Sequence, residues 1–129
     1  MIKLWWLILL AIESPATTYG YGEPFCGDIG NPKPCLKGAI TASGEVFDPE
    51  IPTAAVPAPT GFKLSKPINI WVRLPDQTCV KVRINDKSNP RWIADRGLDL
   101  SPKAVEILTG ERTKHFKQKI ELCIDNFLP

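Results

Sequence analysis

The chain is poor in the residues that build metal centres. It has one histidine in 129 residues, and its four cysteines include no close pair. Eight residues separate Cys26 from Cys35, the nearest two. Zinc sites draw on short C-x2-C-type spacings, so a zinc-binding fold is not expected and no cofactor is implied. Charge of one sign is also missing. Sixteen Lys and Arg face 14 Asp and Glu, a net of +2. That leaves no basic field for phosphate contacts, and nucleic acid is not an expected partner. The longest apolar run falls short of the ~20 residues that cross a bilayer. The 13 prolines exclude a helical bundle, because proline breaks helix interiors. What remains is 43% apolar and 23% charged, ordinary for one globular domain.

The N-terminus carries a targeting pattern. Lys3 supplies a positive charge, and 4–12 is an unbroken apolar run, Leu4 to Ile12. Its length suits the apolar core of a secretory signal. Ser14 and Ala16 place small residues where a signal peptidase reads, so cleavage is expected after Ala16. Residues 1–16 are then a signal peptide and 17–129 the domain. The alternative is a short hydrophobic anchor or packing helix that stays attached. No cysteine follows the run directly, so a lipid has no acceptor there. Export points to the periplasm, the cell envelope or the extracellular space.

Four cysteines in a short exported chain are expected to form disulfides, with three possible connectivities. In 78–84 the apolar set is Val80, Val82 and Ile84, so Cys79 shares the other face with Lys81 and Arg83. In 119–124 the apolar set is Ile120, Leu122 and Ile124, which puts Cys123 beside Glu121. Cysteines on the outward faces of neighbouring strands favour Cys79–Cys123. Cys26–Cys35 then closes a local loop.

Strict alternation in 68–74, a turn at Pro75-Asp76-Gln77 and a second alternating run over 78–84 predict a hairpin. Its inward face is Ile68, Ile70, Val72, Leu74, Val80, Val82 and Ile84. A helix is expected over 101–110, with Ser101 as cap, Pro102 in the first turn and Gly110 at the end. Residues 17–40 read as loop with one short strand, 41–45 as a turn, and proline-rich 48–67 as extended loop and short strand. A polar loop is expected over 85–97, and a last strand over 119–124. The sum is a mainly β protein, a small barrel with one or two short helices.

Five motifs then run in order: Tyr19-Gly20, Thr41-Ala42-Ser43-Gly44-Glu45, Thr53-Ala54-Ala55, Val82-Arg83-Ile84-Asn85-Asp86, and Arg96-Gly97-Leu98-Asp99-Leu100-Ser101. Together they resemble the double-psi β-barrel domain of rare lipoprotein A and, more distantly, the barrel of expansins. The resemblance covers about 19–124. It implies a six-stranded pseudo-symmetric barrel, export, and action on peptidoglycan glycan strands, since some members are lytic transglycosylases. The alternative is a non-catalytic glycan-binding or structural module, joined to other chains of a cell-envelope or virion assembly.

Lytic cleavage of a glycosidic bond needs a proton for the leaving oxygen and stabilisation of an oxocarbenium-like transition state. One carboxyl group serves as acid and then base when a substrate hydroxyl attacks internally. By resemblance the catalytic candidates are Asp86, as acid/base, and Glu45, assisting. Asp99 precedes a helix cap, where the ionised form is favoured, and reads as a substrate-orienting group. Thr41 and Ser43 join it as substrate-binding candidates, with Trp92 as a ring on which a sugar stacks. Trp71 is expected on the non-core face of its strand. Catalytic members carry a histidine where this chain has Val56, and the segment Lys87-Ser88-Asn89-Pro90 also departs from their pattern. His115, in the basic segment 112–119, matches no motif and reads as a solvated surface residue.

Overall fold

The alternating stretch forms its hairpin. In the computed structural model, which describes residues 3–19, 39–88 and 97–123, strand β3 (Ile68–Arg73) pairs antiparallel with β4 (Val80–Ser88). Ile68 faces Ile84, Ile70 faces Val82, and Val72 faces Val80. Ile70, Val72, Val82 and Ile84 are buried in the core, and Ile68, Leu74 and Val80 pack against it. The turn is closed by the Gln77 amide donating to the Leu74 carbonyl at 3.0 Å.

The remaining strands are β1 (Thr17–Thr18), β2 (Thr53–Pro57), β5 (Asp99–Leu100) and β6 (Glu121–Leu122). All six form one curled mixed sheet in the order β1-β5-β2-β4-β3-β6. β1 runs parallel to β5 and β2 parallel to β4, while the other neighbours are antiparallel. With helices α1 (Leu4–Ile12) and α2 (Pro102–Thr109), the chain is mainly β. The two sides of the sheet also meet. Ala16 and Gln118 form an antiparallel bridge, each amide donating to the other's carbonyl at 2.8 and 3.1 Å.

β4 is longer than alternation suggests. It continues through Asn85 to Ser88, where a polar loop is expected from the sequence, because β2 pairs with that stretch. The register slips between Ala54 and Ala55: Ala54 faces Ile84, and Ala55 faces Asp86. Asn85 is the extra residue. Asp86 therefore lies within the strand, past a bulge, and not at the strand end.

α2 follows its signals. Ser101 Oγ accepts from the Ala104 amide, Pro102 opens the helix, and Gly110 closes it at φ 91°. Ser101 also ties the helix to β2. Its Oγ accepts from the Thr53 amide at 2.9 Å and donates to the Ile51 carbonyl at 2.8 Å.

α1 buries Leu7, Ile8 and Ala11 in the same core. The chain then passes close to the residues entering β5. A Cβ at Gly97 would lie 2.1 Å from the Pro15 carbonyl oxygen, so only glycine fits there.

The disulfide Cys79–Cys123 is formed, with Cα atoms 6.3 Å apart. The strands it joins are not neighbours, since β3 lies between β4 and β6. The bond spans β3 because both cysteines sit just outside the paired residues, before Val80 and after Leu122. Cys26 and Cys35 lie outside the described residues, as does Trp92.

Candidate functional site

A row of side chains crosses four strands. Ala55, on central β2, is in register with Asp86 of β4 on one side and with Asp99 of β5 on the other. Asp99 is in turn opposite Thr17 of β1, whose hydroxyl donates to Asp99 Oδ1. Residues opposite one another in a ladder share a face. Two carboxylates thus flank a buried residue with only a methyl side chain. Strands lie ~4.8 Å apart, so the backbones of Asp86 and Asp99, two strands apart, are separated by about 10 Å.

Asp86 is held by backbone. Its Oδ1 accepts from the Lys87 amide at 2.9 Å and from the Ala42 amide at 3.0 Å. Oδ2 has no hydrogen-bond partner among the described residues. The Ala42 contact comes from the tight turn at 41–45, which is clamped onto the β4 bulge. The Ser43 amide donates to the Asn85 carbonyl at 3.2 Å, and the Gly44 amide to Thr41 at 2.9 Å. Gly44 takes φ 93°, open to glycine without strain.

Glu45 closes that turn as an ion-paired carboxylate. Arg83 Nε lies 3.0 Å from both of its oxygens and Nη2 lies 2.7 Å from Oε2. Asn85 Nδ2 adds a bond of 3.1 Å to Oε1. The Arg83 hydrogen bonds hold the Glu45 carboxyl below its ordinary range, against a smaller opposing effect of burial. Glu45 is therefore an ionised anchor and a poor proton donor. Thr41 is buried, and its hydroxyl donates to the Glu45 carbonyl at 2.9 Å, which makes it part of the turn's own frame. Ser43 is more open. It lines a cavity of about 440 Å³ with Ala42, Gly44, Phe62, Leu64 and Lys87.

Tyr19 lies near the acidic pair. Its hydroxyl is buried and, like the Thr53 hydroxyl, has no hydrogen-bond partner among the described residues. Burial pushes the phenol well above its ordinary value. The negative charge of Asp86 adds to the rise, the nearby Thr53 hydroxyl opposes it, and Asp99 adds a smaller increment. Tyr19 thus stands near both aspartates as a neutral donor, its ring 5.3 Å from that of Phe47.

The structure brings Asp86 and Asp99 into register on either side of Ala55, and the 41–45 turn touches both Asp86, through the Ala42 amide, and Arg83, through Glu45. Tyr19, Ala55, Arg83 and Asn85 belong to the same neighbourhood and carry no sequence-derived role. Each lies inside a quoted motif, and that was the available signal. Val56 is fully buried in the core. His115 is exposed, its amide bonded to Thr113 Oγ1. Trp71 is half-buried opposite Lys81, on the face away from Ile70 and Val72. Among the described residues, no three of His, Cys, Asp or Glu gather where a metal could be held.

No protein-family model matches the chain, and no curated protein matches it.

Proposed function

We propose that this protein is exported, that its sheet closes as a double-psi β-barrel of the rare-lipoprotein-A kind, and that it acts on peptidoglycan glycan strands as a lytic transglycosylase. The observation that carries this reading is the register of Asp86 and Asp99 on either side of Ala55. Two parallel pairings in one mixed sheet and the Ala16–Gln118 bridge support the barrel.

In this reading Asp86 Oδ2 carries the proton, while the two amides fix Oδ1. The proton passes to the glycosidic oxygen as the C–O bond breaks. A hydroxyl of the same sugar attacks the cationic carbon, and its proton returns to Asp86, leaving an anhydro-sugar end and no net change in the enzyme. Asp99, bonded by Thr17, orients the sugar and offsets the developing positive charge. Glu45 assists by holding Arg83 and Asn85 beside the bulge. The glycan continues over the cavity between Ser43, Phe62 and Lys87.

A second reading is a glycan-binding module without catalysis. It is favoured by Val56, whose burial leaves no imidazole at the position where catalytic members have one. One experiment separates the two. The protein is incubated with purified peptidoglycan, and soluble products are read by mass spectrometry for anhydro ends. Catalysis predicts such products and a loss of about 10²–10⁴-fold in Asp86→Asn. No products from the native protein, with both proteins still sedimenting on insoluble peptidoglycan, leaves the binding module. Absence of cleavage and of sedimentation removes both.

A further inference from the structure

α1 is apolar on every side. Its nine residues, Leu4 to Ile12, contain no polar side chain. A globular helix of that kind is normally enclosed. Here only one face is. Leu7, Ile8 and Ala11 are in the core, with Leu4 and Ile12 packed against it. The opposite face presents Trp5, Trp6, Leu9 and Leu10, which are 46, 62, 48 and 38% exposed. No other part of the described molecule groups so many large apolar side chains at its surface.

Lysines stand at both ends of the helix. Lys3 precedes the helix and is exposed. At the other end Lys119 Nζ donates to the Ile12 carbonyl at 2.8 Å, which places the last residue of the basic segment 112–119 beside the helix. Lys117 is exposed in that segment, and Glu13 is exposed just past the helix. Paired tryptophans beside leucines, flanked by lysine, match the boundary between lipid headgroups and acyl chains. The helix is too short and its inner face too firmly held for spanning, and no described helix is long and apolar enough to cross a membrane. We infer that α1 stays in the core by its inner face and docks by its outer face, lying flat, on an anionic lipid surface.

The inference is independent of the glycan chemistry and takes the alternative in which residues 1–16 stay attached. Its test uses the full chain with vesicles of phosphatidylcholine alone, and of phosphatidylcholine with phosphatidylglycerol. Flotation and tryptophan emission are read at low and high salt. Expected are flotation with the anionic vesicles, a blue shift, and weakening by salt. Trp6→Ser with Leu9→Ser should reduce binding tenfold or more, and Lys117→Glu several-fold. Neither change touches the inner face, and a thermal melt checks that the fold is retained. Failure of the full chain to float with anionic vesicles overturns the inference. So does binding that the double variant leaves intact. A concentration-dependent dimer that the double variant abolishes, without flotation, assigns the face to a second copy instead.

Discussion

The β3–β4 hairpin and the central strand β2 lie side by side in one sheet and are stabilised in different ways. The hairpin uses large branched side chains on one face and polar ones on the other, with a disulfide across its end. β2 is Thr-Ala-Ala-Val-Pro, buried along its whole length, and hydrogen-bonded on both sides. Its side chains are small, it is covered on both faces, and Asp86 and Asp99 stand in register with its middle residue. The hairpin provides bulk. β2 provides a backbone paired on both sides, and the candidate site lies where Asp86 and Asp99 meet it in register.

The largest effect that tests this contrast lies on the hairpin side. Cys79 and Cys123 are separated by 44 residues, and closing a loop of that length restricts the unfolded chain by about 4 kcal/mol. Cys79→Ser with Cys123→Ser should lower unfolding free energy in urea by about 2–4 kcal/mol. A change below about 1 kcal/mol would mean that the hairpin's packing alone sets its stability. Next comes Ser101→Ala. It removes a helix cap and leaves the buried Thr53 amide without its acceptor, which should cost about 2 kcal/mol. Amide exchange should quicken in β2 and α2 while β3 and β4 keep their protection. Equal loss across both regions would show that they unfold as one unit.

The smallest effect is at the turn. Glu45→Gln should cost about 1 kcal/mol at neutral pH, since the Arg83 pair is partly exposed and screened. The sign with pH follows from the carboxyl's lowered folded value. Its contribution is complete above the ordinary value of 4.5 and fades as pH falls through the folded value. Melting temperatures of native and variant protein should therefore converge in acid. A gap that stays constant below pH 4 would remove the ion pair from the account.

What was legible in the sequence follows the same division. Val82 and Ile84 announce a strand because one face of the hairpin is polar, and alternation records that. Ser101, Pro102 and Gly110 announce α2 because caps act locally. The Cys79–Cys123 pairing was legible from strand parity, although the strands are not adjacent and the bond reaches past β3. β2 carries no alternation, since neither face is polar. The slip at Asn85 depends on a partner strand far away in the chain, so nothing near Asp86 could signal that β4 continues. Asp86 and Asp99 were legible as candidates. Their register on either side of Ala55, and the place of Tyr19 near both, depend on pairings between distant segments that no local pattern encodes.

The bridge between Ala16 and Gln118 bears on how the molecule is assembled in time. It joins points near opposite ends of the chain, and its two hydrogen bonds return little until almost everything between them is ordered. The hairpin can form first from neighbours in sequence. The join at residues 16 and 118 comes last, so refolding should run at the slow pace of topologies rich in distant contacts, on the order of milliseconds to seconds.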